Sequence, residues 1–313
     1  MAKTAVVAVG GNSLILDSKH QTVADQYLAA SKTMEHICVM IQKGYDVVLT
    51  HGNGPQVGFI LLRSELARSQ LHEVPLDSCG ADTQGAIGYN FQMALGNIFR
   101  KNKINKTVAT IVTQVVVDRC DPAFKKPNKP IGPFYSREDA MKRKENEGWD
   151  VMEDAGRGWR RVVASPLPME IVEFEAIKKL VDSGIIVVAV GGGGIPVVRD
   201  EKGDLRGTAA VIDKDFASAL LANKLNADLF VISTAVPKVC LNYGKPNEKS
   251  LDKVTVAEVK KYIEEGHFKP GSMLPKMQAI LKFMESGGKG AVITDPAHLG
   301  EALDGKNGTW ILP

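Results

Sequence analysis

Cysteine and net charge are both in short supply, and each shortage excludes a class of protein. The chain has 313 residues but only four cysteines (Cys38, Cys79, Cys120 and Cys240), and no two of them form a C-x-x-C pair. Cysteines spaced so widely are typical of reduced, mostly structural thiols in a cytosolic protein. Lys and Arg number 39 against 36 Asp and Glu, so the net charge is only +3. This balance argues against a dedicated nucleic-acid-binding protein, which usually carries a strong basic excess.

Long apolar runs are also absent. The N-terminal stretch MAKTAVVAVGG holds one lysine and a short apolar run that ends in glycines. It is too short for a signal-peptide core or a membrane span, so we expect a cytoplasmic protein with no membrane partner. The hydrophobic fraction of 44% and the charged fraction of 24% are ordinary for a globular protein. The length allows one large domain or two smaller ones.

Several familiar functional motifs are missing as well. The P-loop pattern G-x-x-x-x-G-K-[ST] does not occur, and Gly52, Gly54 and Gly58 approach G-x-G-x-x-G without matching its order. A Rossmann dehydrogenase is therefore a remote alternative. No G-x-S-x-G elbow is present, which leaves a hydrolase triad without support. The six histidines are scattered and show no metal-ligand spacing.

Short apolar runs that alternate with helical patterns are present along most of the chain. Several of the runs are apolar on both faces, which is typical of a largely parallel sheet covered by helices on both sides. The predicted helices are residues 22–43, 81–100 and 215–225. The predicted strands are residues 4–9, 46–50, 107–117, 185–190, 229–233, 291–294 and 309–312.

Residues 119–161 depart from this pattern. They contain four prolines, many charges and little apolar periodicity, and they are too numerous for an ordinary connection in a compact domain. Such a segment is either a disordered loop or a functional lid. Trp149 and Trp159, with Phe134 and Tyr135, provide apolar material on which it can fold, so an ordered lid is favoured.

Three predicted strands end in glycine-rich corners. In a parallel α/β sheet, ligands bind outside the carboxyl ends of the strands, and glycines there let backbone N–H groups approach a ligand. A single corner is equally consistent with a tight turn. Three together predict a pocket for several negative oxygens, such as a polyphosphate and an anionic co-substrate. The corners are Gly10-Gly11-Asn12, Gly52-Asn53-Gly54 and the run from Gly191 to Pro196.

Three lysines are candidates for binding such anions. Lys214 and Asp215 begin a predicted helix, where Asp215 could cap the helix, orient a lysine or hold a metal. Lys129 lies between two prolines in the lid, where it could also be a solvated lysine. Lys276 lies near the start of a helix, a position that is unfavourable for a lysine unless an anion is nearby.

Two further features stay open at this level. His51 precedes a glycine corner and could contact a ligand or support the turn. The basic run GRGWRR, residues 156–161, could contact an anion or pair with Glu153 and Asp154.

Taken together and in order, seven motifs resemble those of the carbamate kinases, which belong to the amino acid kinase group. They extend from the first predicted strand to beyond Lys276, nearly the whole chain. Each is modest by itself, and the ordered set is highly specific. The motifs are VAVGGN, HGNGPQVG, KPIGPFY, GRGWRRVVASPLP, GGGGIPV, AVIDKDFAS and GSMLPKM.

The resemblance implies a three-layer α/β/α sandwich with a central, mostly parallel sheet and a protruding lid subdomain at about 119–161. It implies an N-terminal lobe, residues 1–226, that binds carbamate, and a C-terminal lobe, residues 227–313, that binds the nucleotide, with one continuous sheet. It further implies a homodimer whose substrates are ATP or ADP and carbamate or carbamoyl phosphate. Mg²⁺ would be carried by the nucleotide, with no metal site in the protein itself.

The resemblance also implies roles for particular residues. Lys129 would reach in from the lid, Lys214 and Lys276 would stabilise the transferring phosphoryl group, and Asp215 would position the lysines. The carbamate and the phosphoryl group would be surrounded by Gly10, Gly11, Asn12, Gly52, Asn53 and Gly54. The nucleotide would contact Gly191, Gly192, Ala235, Tyr243, Met273 and Lys276.

The implied reaction is reversible phosphoryl transfer: ATP and carbamate give ADP and carbamoyl phosphate, with use towards ATP synthesis. Many relatives that act on other substrates carry a lysine just before the first glycine pair, whereas here Lys3 lies at the wrong end of the strand. This is similar to carbamate kinases rather than to acetylglutamate, aspartate or uridylate kinases. The pathway stays open among the breakdown of arginine, agmatine and purines.

One loop departs from the family pattern. Relatives often carry an aspartate where this chain has Pro237 and Lys238, a change that bears on nucleotide affinity and base preference. Two other functions remain as alternatives. An acyl-phosphate kinase for a larger carboxylate would need a further cation, for which no motif is visible. A nucleotide-sensing module would have lost one of the three lysines, and all three are present.

Overall fold

An eight-stranded sheet forms the centre of the fold in the computed structural model, which describes residues 3–11, 14–15, 17, 19–154 and 158–313. Neighbouring strands are parallel except at one pair near an edge, β16 and β17. In spatial order the strands are β15 (Lys253–Thr255), β17 (Thr309–Leu312), β16 (Ala291–Thr294), β12 (Leu229–Ser233), β1 (Lys3–Val9), β2 (Tyr45–His51), β9 (Ile186–Val188) and β3 (Val108–Thr110).

The described residues also form three smaller sheets. A four-stranded sheet runs in the order β11 (Leu205–Gly207), β10 (Ile195–Arg199), β4 (Gln114–Val117) and β8 (Pro168–Ile171). A three-stranded antiparallel sheet runs in the order β5 (Lys129–Tyr135), β7 (Trp159–Val163) and β6 (Asp150–Glu153). The last is a pair of short strands, β13 (Cys240–Leu241) and β14 (Lys249–Ser250).

Helices cover both faces of the central sheet. The buried side chains of β1 alternate between two apolar cores: Val6 and Ala8 face one, and Ala5, Val7 and Val9 face the other. This alternation confirms the predicted three-layer α/β/α sandwich. The helices are α1 (Val23–Gln42), α2 (Gly54–Ala67), α3 (Leu76–Asn102), α4 (Arg137–Glu147), α5 (Phe174–Asp182), α6 (Lys214–Lys224), α7 (Val256–Glu264), α8 (Met273–Glu285) and α9 (Leu299–Leu303).

The first helix begins and ends where the local sequence indicates. Thr22 caps α1 through a capping box, because its hydroxyl accepts from the Asp25 N–H while the Asp25 carboxylate accepts from the Thr22 N–H. The chain leaves the helix at Lys43, and Gly44 follows with φ of 88°, which a glycine adopts at little cost. The prediction of a helix over 22–43 is confirmed to within a residue at each end.

The prediction of one strand over 107–117 is wrong. The run is divided between β3, in the central sheet, and β4, in the four-stranded sheet. The Gln84 side chain fixes the break: its Oε1 accepts from the Thr113 N–H at 2.7 Å, and its Nε2 donates to the Thr113 carbonyl at 3.1 Å. A side chain 29 residues away thus determines where the strand ends.

The segment 119–161 is folded over its described residues. Its core is the β5–β7–β6 sheet with α4, in which the Arg143 guanidinium lies 4.8 Å from the ring centres of both Tyr135 and Trp149. An ion pair between Arg143 and Glu65 joins this protruding subdomain to α2. The lobe boundary predicted near residue 226 remains a prediction; β12, which follows it, pairs with β1 in the same sheet.

No helix within the described residues is both long enough and apolar enough to cross a membrane.

Two glycines of α3 provide a test of this packing. A Cβ added at buried Gly88 would lie 2.3 Å from Thr110 Cγ2 of β3, whereas a Cβ at exposed Gly96 would meet nothing within 4 Å. We expect Gly88→Ala to lower the free energy of unfolding by roughly 1–3 kcal/mol through overpacking. Gly96→Ala should raise it by about 0.5–1 kcal/mol, because alanine favours the helix. Urea unfolding of both variants checks this, and equal effects would contradict it.

Candidate active site

The three glycine corners lie at one edge of the central sheet. Strands β1, β2 and β9 are neighbours and parallel, so their carboxyl ends open onto the same space. At this edge the Gly10 N–H donates to the Ser233 carbonyl and the Gly52 N–H donates to the Val9 carbonyl. Gly54 instead begins α2, whose first N–H groups have no partner inside the helix. Pro55 follows in the first turn, where its missing N–H costs no helical hydrogen bond.

A cavity of about 210 Å³ lies at this edge, between the corners and the protruding subdomain. Its wall brings together most of the residues expected to meet the smaller substrate. Gly10 does not line it, and Asn12 lies outside the described residues. The predicted residues in the wall are Gly11, Gly52, Asn53, Gly54, Lys129, Gly192, Lys214, Asp215 and Lys276.

A buried carboxylate joins two of the three lysines. Asp215 Oδ1 accepts from the Lys214 ammonium in a short contact, and Asp215 Oδ2 lies 2.9 Å from Lys276 Nζ. The Asp215 side chain is only 3% exposed. The stem of Lys214 passes beside Gly52, since a Cβ there would lie 3.5 Å from Lys214 Cδ. The ammonium groups from α6 and α8 therefore converge on one point of the cavity wall.

Burial and charge act in opposite directions on this group. Burial alone raises the pKa of Asp215, but the charges of Lys214 and Lys276 outweigh it and hold that pKa well below its usual value. Burial lowers the pKa of Lys214, the charge of Asp215 opposes this, and the charge of Lys276 adds to it. An anion in the cavity would favour the charged form of Lys214.

Asp213, rather than Asp215, caps α6. Its Oδ1 accepts from the Asp215 N–H at 2.9 Å, so the reading of Asp215 as a cap is wrong. The other oxygen of Asp213 accepts from Lys129 Nζ at 2.6 Å. Sequence reasoning missed this residue, although the motif IDKD contains an aspartate in the position typical of a cap.

His51 is buried behind the cavity and does not line it. Its Nδ1 lies 3.1 Å from the Gly52 carbonyl, its ring meets Phe91 edge-on at 5.8 Å, and its Nε2 is buried without a partner among the described residues. Burial lowers the pKa of His51 to about 4, so the ring is neutral near pH 7. Of the two roles left open by the sequence, this position fits support of the turn.

The third corner is shaped by close packing. A Cβ on Gly191 would lie 2.3 Å from His51 Nε2, and one on Gly192 would lie 2.1 Å from Asn53 Nδ2. Asn53 also donates to Thr83 Oγ1 at 2.8 Å. Gly192 lines the 210 Å³ cavity and Gly191 lies behind it. Their predicted contact with the nucleotide stays a prediction, and both glycines are located at the 210 Å³ cavity.

A second cavity, of about 480 Å³, adjoins the first and shares Ser272 and Lys276 with it. The nucleotide-contact candidates Ala235, Tyr243 and Met273 line this larger cavity. Its wall also contains residues that sequence reasoning did not assign, among them Lys269, whose Nζ lies 5.9 Å from the Tyr243 ring centre.

Lys238 of the departing loop also lines the larger cavity, where it pairs with Asp252. Its effect on nucleotide binding stays a prediction.

The described arginines of the basic run make contacts within the protruding subdomain. Arg160 binds Asp154 at 3.0 Å and the Gly132 carbonyl at 3.2 Å, and Arg161 stacks on Trp149 at 4.9 Å. Gly156 and Arg157 of this run lie outside the described residues.

Metal-ligand clusters are not part of the described site. Within the described residues, no group of three or more His, Cys, Asp or Glu side chains could hold a metal ion. The charged groups of the site are three ammoniums and two carboxylates. Such a set suits the binding of oxyanions by positive charge and by N–H donors.

The fold and this site define a family. Residues 3–295 match the model of the amino acid kinase family, and the chain belongs to that family. Within it, the chain is 51% identical to a carbamate kinase-like protein of Escherichia coli, over 100% of this chain and 99% of the relative. It is 50% identical to the carbamate kinase of Thermococcus kodakarensis, over 99% of each. The structure of Giardia lamblia carbamate kinase bound to AMP-PNP superposes with a TM-score of 0.92 at 43% identity, covering 99% of this chain and 98% of that one.

The buried imidazole predicts a loss of stability in acid. The unfolded chain takes up a proton on His51 below about pH 6.5, whereas the folded protein resists it down to about pH 4. Stability from this residue is therefore complete above pH 6.5 and is lost as the pH falls towards 4. Between pH 7 and pH 4.5 the wild type should lose about 2 kcal/mol more of its unfolding free energy than His51→Asn. Urea unfolding at both values checks this, and parallel losses would contradict it.

Proposed function

We propose that this protein is a carbamate kinase, which transfers a phosphoryl group reversibly between ATP and carbamate to give ADP and carbamoyl phosphate. The observation that carries the proposal is the position of Lys276, in the shared wall of the two cavities and 2.9 Å from the Asp215 carboxylate. Curated carbamate kinases about 50% identical over the full chain support the same substrates.

The chemistry requires charge stabilisation rather than a general base. The attacking group is a carboxylate oxygen of carbamate, which is already ionised, and negative charge spreads over the oxygens of the transferring phosphoryl group. One carboxylate holds both Lys214, in the wall of the smaller cavity, and Lys276, in the wall that the two cavities share. Preorganised cations and N–H groups meet this demand without reorganisation during the reaction.

The two cavities divide the substrates. In this proposal, carbamate lies in the 210 Å³ cavity against Gly11, Gly52, Asn53 and Gly54, with Lys129 at its edge. The nucleotide lies in the 480 Å³ cavity, whose wall contains the nucleotide-contact candidates Ala235, Tyr243 and Met273. Mg²⁺ enters as part of the nucleotide substrate. Gly10 and Gly191 act from behind the wall, by shaping the corners.

Assembly and cellular use belong to the same proposal. We propose a homodimer, since exposed apolar side chains occur on three helices, among them Leu28 of α1, Leu66 of α2 and Tyr89 of α3. A monomer mass in sedimentation equilibrium would refute this.

We further propose that the enzyme is cytoplasmic. We propose that it works towards ATP synthesis, because carbamoyl phosphate is a reactive acyl phosphate.

The substrate is tested directly by the reverse reaction. Carbamoyl phosphate, ADP and Mg²⁺ should yield ATP in a luciferase-coupled assay, and acetyl phosphate in place of carbamoyl phosphate should yield far less. When Mg²⁺ is chelated, ATP formation should be abolished; in this arm ATP is measured by chromatography of the quenched reaction, because luciferase itself requires Mg²⁺. Absence of ATP from carbamoyl phosphate would overturn the proposed function, and equal rates with acetyl phosphate would point to a different acyl-phosphate kinase.

The lysine cluster is tested by removal of one ammonium at a time. Lys214→Ala and Lys276→Ala should each lower kcat by roughly 10² to 10³-fold, the scale observed when one preorganised transition-state donor is lost, about 3–4 kcal/mol. Lys178→Ala is the matched control, because this lysine is exposed on α5 and its ion-pair partner among the described residues is Asp182 of the same helix. Near-wild-type turnover by both cluster variants would refute the assignment.

A further inference from the structure

Asp213 bonds to two separate parts of the site through its two oxygens. Oδ1 accepts from the Asp215 N–H at 2.9 Å and so caps α6, while Oδ2 accepts from Lys129 Nζ at 2.6 Å. Lys129 belongs to β5 of the protruding subdomain, and Asp213 immediately precedes α6, which carries Lys214 and Asp215. One carboxylate therefore connects Lys129 to α6, the helix that carries Lys214.

Lys129 has little else to fix its ammonium. Its side chain is 33% exposed, and Asp213 is its ion-pair partner within the described residues. A free lysine side chain samples many rotamers and loses up to about 2 kcal/mol of entropy when fixed. The partner is better shielded, since the Asp213 side chain is 17% exposed, and its backbone is held by the start of α6.

We propose that Asp213 is a positioning residue for phosphoryl transfer: its carboxylate holds the Lys129 ammonium at the edge of the 210 Å³ cavity, facing the smaller substrate anion. This rests on the proposed function, which supplies the substrate. The role acts through Lys129 and not through contact of Asp213 with the reacting atoms. It also makes the protruding subdomain part of the site by a charge contact as well as by packing.

Electrostatics alone makes a different prediction. Removal of one negative charge from a site of three lysines and two aspartates would increase its attraction for an anion, so the substrate should bind more tightly. If positioning dominates, the freed Lys129 ammonium loses its place and the substrate should bind less tightly. The direction of the change in KM therefore separates the two effects.

A purely structural role as a helix cap is separated by the choice of substitution. Asn is as good an N-cap as Asp, so Asp213→Asn keeps the bond to the Asp215 N–H while it removes the charge that holds Lys129. We expect this variant to keep the wild-type Tm within a few degrees. Its KM for carbamoyl phosphate should rise about three- to fivefold, the upper range for a partly exposed ion pair, while its KM for ADP stays within about twofold.

The experiment is a double-mutant cycle on the full chain with Asp213→Asn, Lys129→Ala and the double variant, each measured for KM and kcat with carbamoyl phosphate and with ADP. If Asp213 acts through Lys129, Asp213→Asn should have no further effect once Lys129 is removed. Asp304→Asn is the matched control, because it breaks a surface ion pair with Lys43 that lies outside both cavities.

The outcomes are distinct. Suppose that the wild type is active and that the effects of Asp213→Asn and Lys129→Ala on KM multiply in the double variant. This result would overturn the role of Asp213 and leave the proposed function intact. So would an unchanged or lowered KM for carbamoyl phosphate in Asp213→Asn. A wild type without activity on carbamoyl phosphate would overturn the proposed function, and this role with it.

Discussion

The arrangement of the site depends on a carboxylate that is almost entirely buried between two ammonium groups. A buried charge is costly unless it is paired and hydrogen-bonded, and buried Asp215 meets both conditions through Lys214 and Lys276. The two lysines come from different helices. The pairing therefore requires the N-terminal turns of α6 and α8 to lie together, and that junction is where the two cavities share a wall.

The sheet determines what faces this junction. Parallel strands β1, β2 and β9 are neighbours, so their corners meet without any long loop. Close packing behind the corners then requires glycine: the His51 ring occupies the space of a side chain on Gly191, and the Asn53 amide that of one on Gly192. The buried histidine and asparagine thus set the shape of the cavity from behind, and the backbone rather than side chains forms much of its surface.

Local patterns in the sequence located most of the fold, because apolar runs, caps and glycines act over a few residues. The α1 boundaries and the three corners follow from such signals. The break between β3 and β4 does not, because it depends on Gln84, 29 residues away. The pairing of Lys129 with Asp213, 84 residues apart, was hidden for the same reason. The resemblance to a family identified the lysines but not the carboxylate that holds one of them.

The presence of two aspartates among three lysines has a physical reason. A site that must attract oxyanions would gain attraction from unpaired lysines, yet burial favours the neutral amine, and it already lowers the pKa of Lys214. The charge of Asp215 opposes that shift and raises the pKa of Lys276 above its usual value against the effect of burial. The charge of Asp215 therefore favours the charged form of both buried lysines in the absence of ligand. An incoming phosphoryl group then meets side chains that are already oriented by the same carboxylate, which is the condition for electrostatic stabilisation without reorganisation.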